Sequence, residues 1–324
     1  MEYVNLPGTS VKVSRMCLGT MMFGDQTNEA DSHAILNHAF EQGVNFIDTA
    51  VSYIAGGGER IIGKWLKEKG CREKCIVATK IFYPITDDLN DRGLNRNHII
   101  SATNTSLKNL NTDYIDLVHM HAPDYDTEME ETLDTCTTLI HAGKIRYLGI
   151  SNYAAWQVAD IVALCDKRGY IRPIISQSPY SLLFRDVERE LIPCLKAHKM
   201  GMAVYNPIAG GLLSGKYKTR ELQENTRFTY MKVYQDRYWN EKYFTMVEKL
   251  TTIAGNYGIP LLELAMRWCM YQNGVSVVIS GVSKMEQIKQ NISIFGKPAL
   301  DEEILKACGQ VWEEMENRTF SYNR

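Results

Sequence analysis

The chain has 324 residues, 45% of them hydrophobic, and its 36 basic and 38 acidic side chains give a formal net charge of −2. This length provides a core for one α/β barrel or two smaller domains, and the balanced charge excludes a global positive field for nucleic acid or anionic membranes. Residues 1–14 lack a signal-peptide pattern and no apolar stretch approaches the ~20 residues that span a bilayer, so we expect a cytoplasmic protein without membrane insertion.

Eight short β-rich segments recur along the chain, and each is followed by a helical pattern. In chain order they are MCLGT (16–20), VNFIDTA (44–50), CIVATK (75–80), IDLVHMH (115–121), IRYLGIS (145–151), IISQSPY (174–180), MAVYNPI (202–208) and VSVVISG (275–281). Strand then helix, eight times, predicts a parallel sheet closed into a (β/α)8 TIM barrel, with residues 1–324 as a single domain. An open doubly wound sheet is the alternative, but its glycine fingerprint after the first strand is absent.

Other segments flank this repeat. Residues 3–14 contain a Pro-Gly turn between alternating runs, which predicts a hairpin that closes the barrel bottom. Residues 217–245 are polar and aromatic without a clear period, which indicates a lid or long insertion. Thr127 and Glu130 have capping-box spacing, so we predict that Thr127 opens the helix that closes near Gly143.

The cysteines and two glycine-rich stretches give weaker signals. Eight cysteines lie mostly in apolar segments without metal-type spacing, so we predict reduced thiols and regard a redox role for the Cys71 and Cys75 pair as less favoured. Residues 58–65 and 210–217 match most of a phosphate-binding P-loop. Each has an aromatic residue, Trp65 or Tyr217, where a magnesium-binding Ser or Thr is required, so both are rejected as nucleoside triphosphate sites.

Titratable side chains stand at the ends of three neighbouring predicted strands: Asp48 with Tyr53, then Lys80, then His121. Singly, each has a structural explanation as a turn cap, a solvated amine or a hydrogen-bonded ring. Barrel active sites lie at the carboxyl ends of the strands, so their shared placement favours a common site.

These four residue types together form a proton donor directed at a carbonyl. Lowering the pKa of a tyrosine from near 10 toward 7 requires about 4 kcal/mol. One ammonium about 4 Å away supplies roughly that energy at an effective dielectric near 20. We therefore expect Lys80 to lower the pKa of Tyr53, and Asp48 to keep Lys80 charged.

The motifs DTAVSY (48–53), ATK (78–80) and HAPD (121–124) resemble the catalytic tetrad of the aldo-keto reductases. RGLNRNHII, MEETLDT, GLLSGKY and GVSKMEQIKQN are similar to the branch of potassium-channel β-subunits and related microbial reductases, and the resemblance covers nearly the whole chain. It implies NADPH-dependent reduction of an aldehyde or ketone to an alcohol. Tyr53 is then the general acid, Lys80 tunes it, Asp48 pairs with Lys80, and His121 orients the substrate carbonyl.

The same resemblance implies an NADPH (NADP+) site along the strand ends. The residues expected near the nicotinamide, its carboxamide and the pyrophosphate are Thr20, Met21, Gln26, Asp48, Ser151, Asn152, Gln177, Tyr205, Asn206, Pro207, Ile208, Ala209, Gly210 and Lys216. Tyr205 is expected to stack on the nicotinamide, or else to be a core aromatic. Lys216 would meet phosphate without magnesium.

The adenine end is expected at residues 281–291, a C-terminal cofactor-binding helix. Ser283 and Glu286 have capping-box spacing, so Ser283 is predicted to open a helix whose free amide donors suit an anion. By resemblance, this end takes the 2'-phosphate and Arg227 clamps the cofactor. The residues expected beside the phosphate, adenine and ribose are Gly281, Ser283, Lys284, Gln287, Gln290 and Asn291. Some relatives have Lys at position 281 or Arg at position 283, and this departure weakens the preference for NADPH over NADH.

Three alternatives stay open. A redox-sensing NADP-binding regulatory subunit of the channel β-subunit type is one, although such subunits carry a different residue at the His121 position. A Schiff-base aldolase would use Lys80 as nucleophile, but a paired Asp48 would raise its pKa. A metal site at His119 and His121 lacks further ligands in the sequence.

The substrate is expected to be a small carbonyl compound, and a homo-oligomer is compatible with the sequence. Residues 80–93 and 217–245 are the loops expected to set substrate choice. Their aromatic residues indicate either an aromatic-lined pocket or packing of the loops against the barrel. These residues are Phe82, Tyr83, Tyr230 and Tyr234.

Overall fold

The protein forms a closed barrel of eight parallel strands, preceded by an antiparallel hairpin, in a computed structural model that describes residues 1–217, 219–222, 224 and 226–316. The strands are β1 (Tyr3–Asn5), β2 (Lys12–Ser14), β3 (Met16–Gly19), β4 (Phe46–Asp48), β5 (Ile76–Ile81), β6 (Ile115–Met120), β7 (Ile145–Ser151), β8 (Ile175–Pro179), β9 (Gly201–Tyr205) and β10 (Val275–Gly281). Strands β3 to β10 follow one another around the barrel, and β10 pairs with β3 to close it. The predicted (β/α)8 TIM barrel is confirmed.

Helices surround this barrel. They are α1 (Glu29–Glu41), α2 (Gly57–Lys69), α3 (Arg96–Leu110), α4 (Met129–His141), α5 (Ala155–Arg168), α6 (Leu191–Ala197), α7 (Arg227–Tyr230), α8 (Lys232–Tyr238), α9 (Glu241–Asn256), α10 (Leu261–Met270), α11 (Met285–Phe295) and α12 (Glu302–Glu316). Short 3₁₀ segments cover Tyr53–Gly56, Arg72–Lys74, Asp186–Glu188 and Ala209–Ser214. Among the described residues, no helix has the length and apolar character needed to cross a membrane.

The barrel interior is apolar at the amino ends of the strands. Cys17, Phe46 and Leu117 form one buried cluster with Leu6 and Val13 from the hairpin segment. The hairpin therefore closes the barrel bottom, as predicted. Strand β6 is buried along its whole length, which is typical of a parallel strand covered on both faces. The polar carboxyl ends remain as the open side of the barrel.

The predicted start of α4 is wrong by one residue. The helix begins at Met129, and its cap residue Glu128 makes no side-chain capping bond. Thr127, the predicted cap, instead lies beside Asp124, whose pKa it helps to lower. The hydroxyl of Thr127 therefore interacts with a nearby loop carboxylate, whereas the sequence spacing predicted that it would cap the helix.

The region 217–245 is more helical than its pattern indicated. Its described residues form α7, α8 and the start of α9, whereas residues 218, 223 and 225 lie outside the described residues. An aromatic cluster holds the region together, with ring centroids of Tyr217 and Trp239 5.3 Å apart and those of Phe228 and Trp239 4.9 Å apart. The cluster packs these helices over the open end of the barrel.

Candidate active site

A buried ion pair lies at the carboxyl ends of β4 and β5. The Nζ atom of Lys80 is 2.5 Å from Oδ1 of Asp48 and 2.7 Å from the carbonyl oxygen of Thr49. The same Nζ is 3.3 Å from the hydroxyl oxygen of Tyr53. Parallel register sets this geometry, because Asp48 pairs with Ala78 and both strands direct alternate residues inward. Three of the four predicted catalytic residues therefore meet at one ammonium.

Gln177 completes the surroundings of Asp48. Its Nε2 donates to Oδ2 of Asp48 at 2.9 Å, so both carboxylate oxygens of Asp48 are hydrogen-bonded. Gln177 was expected at the carboxamide of the cofactor, and in the structure its amide holds the carboxylate of Asp48. This bond joins β8 to β4 across the open end of the barrel.

Tyr53 is held by an unusual backbone. The two residues after it, Ile54 and Ala55, both have φ of 48°, in the left-handed region. Such non-glycine conformations cost about 1–3 kcal/mol each and persist only where surrounding contacts fix them. Arg60 contributes one such contact, since its Nη1 donates to the carbonyl oxygen of Ala55 at 3.0 Å. The turn thereby directs Tyr53 toward Lys80.

The expected lowering of the Tyr53 pKa is not found, and this corrects the sequence prediction. Burial raises the pKa of Tyr53 more than the Lys80 charge lowers it, and the Asp48 carboxylate raises it further. The sequence argument counted the ammonium alone and left out desolvation and the neutralising carboxylate. Tyr53 is therefore a protonated phenol at neutral pH, ready to donate.

Lys80 stays charged despite its complete burial. Desolvation opposes its charge, but Asp48 and Tyr53 outweigh desolvation and raise the pKa of the ammonium. A Schiff-base nucleophile needs a neutral amine, which a raised pKa disfavours. The environment of Lys80 thus argues against the aldolase alternative.

His121 is neutral and faces the same cavity as Tyr53. Burial, then the charge of Lys80, lowers the pKa of His121 to about 2. Its ring centroid is 6.1 Å from that of Tyr53 and 5.0 Å from that of Tyr83. Within the described part of the chain, its Nδ1 is buried without a hydrogen-bond partner. Orphaned buried donors are rarer than orphaned acceptors, so the favoured tautomer carries its proton on Nε2.

His119 has a structural setting below this site. Its ring fills the space next to Gly149, where an added Cβ would lie 2.4 Å from Nδ1 of His119. Burial lowers the pKa of His119 to about 4. The described residues include no group of three or more His, Cys, Asp or Glu side chains that could hold a metal ion. Packing accounts for His119.

A single elongated cavity of about 980 Å³ runs from Tyr53 and His121 to the start of α11. Of the residues assigned to the cofactor, all except Ala209 line it, whereas the side chain of Ala209 is fully buried. Four cations, Lys216, Arg227, Arg237 and Lys284, line the cavity. The Nδ2 of Asn206 is buried without a partner in the described structure. Cations and an unused amide donor in one cleft fit a phosphate-bearing dinucleotide.

The strand ends beside Tyr205 are tied together by hydrogen bonds. The hydroxyl of Tyr205 donates to Oδ1 of Asn152 at 2.7 Å. Asn152 donates from Nδ2 to the carbonyl oxygen of His121 at 2.9 Å and to Oγ of Ser151 at 3.1 Å. Asn152 has φ of 66°, so its backbone is left-handed. Tyr205 is thus a cavity-lining ring whose hydroxyl is fixed, and the ring also packs against the buried cluster of the barrel interior.

The start of α11 differs from the prediction. Lys284, not Ser283, is the cap residue, and the helix begins at Met285. Gln287, not Glu286, reaches back, with Oε1 2.8 Å from the backbone nitrogen of Ser283 and 3.2 Å from that of Lys284. Two of the amides expected to be free, those of Ser283 and Lys284, are therefore already bonded. Asn291 is buried, with Nδ2 2.8 Å from Oγ of Ser280.

Some residues of the site were not found from the sequence. Met22, Ala122 and Arg237 line the cavity. Met22 and Ala122 directly follow recognised positions, so adjacency was a usable signal. Arg237 lies in the aperiodic region, where no pattern indicated which side chains face inward. The fully buried carboxylate of Glu59 also gave no signal, because it lies among polar residues of an amphipathic helix.

Comparison with known proteins supports the geometry. The model of the Aldo/keto reductase family matches residues 15–313. The chain is similar to aflatoxin B1 aldehyde reductase member 2 of Rattus norvegicus, with 34% identity over 95% of this chain and 87% of that protein. It is similar to the "Probable voltage-gated potassium channel subunit beta" of Arabidopsis thaliana, with 34% identity over 99% of this chain and 100% of that protein. The uncharacterized oxidoreductase YrpG of Bacillus subtilis (strain 168) is 34% identical over 96% of both proteins. The chain therefore belongs to the aldo/keto reductase family, oxidoreductases that generally use NAD(P)H.

Proposed function

We propose that this protein is an NADPH-dependent reductase of small aldehydes or ketones. The observation that carries the proposal is the contact of one buried ammonium, Lys80, with both Asp48 and Tyr53 at the wall of a cavity that His121 also lines. The cofactor, when bound, supplies the hydride. Everything else required for carbonyl reduction is a property of these side chains.

Tyr53 holds the proton that the product alcohol requires. Because burial raises the pKa of Tyr53, the hydroxyl remains protonated until the substrate oxygen gains negative charge. Lys80 then stabilises the charge that develops on the phenol oxygen, from 3.3 Å. Asp48 and Gln177 hold the ammonium in position.

His121 orients the carbonyl. A neutral ring with its proton on Nε2 donates one hydrogen bond to the substrate oxygen and brings no competing acid. Tyr83, Tyr234 and Met22 line the same cavity and give the carbonyl substituent apolar surface. The resulting preference is for a small carbonyl compound with an apolar or aromatic substituent.

NADPH is the proposed cofactor because four cations line the cavity. Lys216 and Arg227 line it together with Asn206 and Gly210, and Lys284 lines it at the start of α11. The relative from Rattus norvegicus is named as an aldehyde reductase, which agrees with the proposal.

A regulatory subunit that binds the cofactor is the second candidate, favoured by the similarity over the full length of the plant channel subunit. A screen of aliphatic and aromatic aldehydes and ketones, followed by the loss of NADPH absorbance, separates the two. Consumption that depends on a carbonyl compound is expected. NADPH binding without consumption with every compound would contradict the reductase and favour the regulatory subunit.

A further inference from the structure

The backbone of His121 is fixed, but the protein makes no hydrogen bond to the Nδ1 of its ring. The backbone nitrogen of His121 donates to the carbonyl oxygen of Ile81 at 3.0 Å, and its carbonyl oxygen accepts from Nδ2 of Asn152 at 2.9 Å. Among the described residues, Nδ1 of its ring is buried and has no partner. A functional histidine is commonly oriented by a hydrogen bond at its second ring nitrogen. A different contact therefore has to orient the ring of His121.

The orientation of this ring decides where its donor points. The torsion about the Cβ–Cγ bond of a histidine is broad, unlike the staggered torsions of aliphatic side chains. Nε2 lies off this bond axis, so it moves whenever the torsion changes. A hydrogen bond weakens steeply when its donor angle falls below about 120°. The bond from Nε2 of His121 to a substrate carbonyl therefore depends on whatever confines the ring plane.

Two aromatic rings confine it. The ring of Tyr83 lies 5.0 Å from the ring of His121 with an interplanar angle of 83°, and the ring of Tyr53 lies 6.1 Å away at 74°. Both separations are in the range of about 4.5–7 Å in which edge-to-face pairs are favourable. Tyr53 is placed by Lys80 and its own turn, and Tyr83 makes the shorter contact. Tyr83 is thus the second wall of the space that the imidazole occupies.

Tyr83 is exposed, but the loop that carries it is anchored. A backbone hydrogen bond of 2.7 Å joins the two ends of the loop, residues 82–93. Inside it, Oδ2 of Asp91 accepts from the backbone nitrogen of Thr86 at 2.6 Å. Oδ1 of Asp91 lies 2.7 Å from Nδ1 of His98, whose side chain is fully buried in α3. The loop therefore gives Tyr83 a firm support beside the cavity.

Resting on the proposed function, we propose that Tyr83 is a positioning residue that orients the ring of His121 for its hydrogen bond to the substrate carbonyl. The competing role for Tyr83 is a simple wall for the carbonyl substituent. A wall contributes whether or not the histidine is present. A positioning residue contributes only through the histidine.

A double-mutant cycle separates these roles. The measurement is the single-turnover oxidation of bound NADPH by benzaldehyde, or by the compound that the parent reduces fastest in the carbonyl screen. Tyr83→Ala is expected to lower the rate constant by about threefold to tenfold, the range that one aromatic contact spans. In a His121→Ala background the same substitution should have no further effect, because there is no ring to orient. Tyr83→Phe keeps the ring and should recover most of the loss.

Tyr125→Ala is the matched control. Tyr125 lies on the segment that follows His121, is 81% exposed and does not line the cavity, so this variant should keep the parent rate constant. Equal NADPH affinities in fluorescence titration would show that the variants are folded.

Three results would overturn the role of Tyr83 while the reductase activity stands. They are an unchanged rate constant in Tyr83→Ala, the same loss with and without His121, and a loss in Tyr83→Phe or Tyr125→Ala as large as in Tyr83→Ala. A parent protein that reduces no compound of the screen would overturn the proposed function, and this role with it.

Discussion

His121 lies near a buried ammonium and stays uncharged. Burial, together with the charge of Lys80, lowers its pKa to about 2, whereas burial raises the pKa of Tyr53. The reference pKa is about 6.5 for histidine and about 10 for tyrosine. Because the pKa of His121 is lowered and that of Tyr53 is raised, neither group titrates between about pH 4 and pH 8. The proton-donating state of the site therefore persists over this whole range, and activity is lost only as rising pH removes the proton from Tyr53.

His121→Asn tests this description of the residue. An asparagine amide still donates a hydrogen bond, but its shorter reach misplaces the carbonyl, and small displacements cost about a hundredfold in rate. We expect the single-turnover rate constant to fall by that amount equally at every pH from 5 to 8, with little change in NADPH affinity. Stopped-flow oxidation of NADPH over this range makes the measurement. A parent rate that falls near pH 6 would show that His121 titrates, contrary to this account.

At the scale of secondary-structure elements, Glu59 connects α2, β5 and α3. Its Oε1 accepts from the hydroxyl of Thr79 in β5 at 2.7 Å, and its Oε2 accepts from Nδ2 of Asn109 in α3 at 3.0 Å. Glu59 is in α2, which follows the Tyr53 turn, and Thr79 precedes Lys80. This fully buried carboxylate therefore fixes the distance between the segments that carry Tyr53 and Lys80.

Thr79→Val removes one donor and keeps the shape of the side chain. An unpaired buried acceptor costs about 1–3 kcal/mol, so the free energy of unfolding in urea at pH 7 should fall by that amount. Burial already raises the pKa of Glu59, and loss of the donor raises it further. The loss in free energy of unfolding is therefore largest at a pH where Glu59 is ionised, and it becomes smaller as pH falls through the folded-state pKa of Glu59.

Thr251→Val serves as the control for this loss, because its hydroxyl donates only to the carbonyl oxygen of Val247 within α9, at 2.7 Å. Its deficit should be small and independent of pH. Equal deficits in the two variants, or a Thr79→Val deficit that grows toward acid pH, would show that Glu59 does not join these elements.

Elements were predictable where a pattern extends over many residues, and poorly predictable where one contact decides. All eight barrel strands follow from the repeat, since burial on both faces selects β-branched runs. The starts of helices α4 and α11 were not predictable from the sequence. Thr127 interacts with Asp124 and does not cap α4, and Gln287 rather than Glu286 accepts from the backbone at the start of α11. Such contacts depend on tertiary neighbours that spacing does not specify.

At the scale of the molecule, the barrel brings residues that are far apart in the sequence together around one cavity. Asp48, Lys80 and His121 are neighbours because β4, β5 and β6 are adjacent, so their meeting followed from the fold alone. Arg237 lines the same cavity from α8, a helix that is not part of the eightfold strand-helix repeat. The meeting of these residues at the strand ends was therefore predictable, whereas the direction of the Tyr53 pKa shift depended on burial and on a full set of neighbouring charges.

The most direct test of the central claim is single-turnover oxidation of bound NADPH by a reactive aldehyde, with the parent and Tyr53→Phe compared. The substitution removes the proposed acid and leaves the ring, so NADPH affinity in fluorescence titration should be nearly unchanged. General acid catalysis contributes about a hundred- to ten-thousandfold, and the rate constant should fall within that range. A Tyr53→Phe protein that reduces the aldehyde at close to the parent rate would contradict the account.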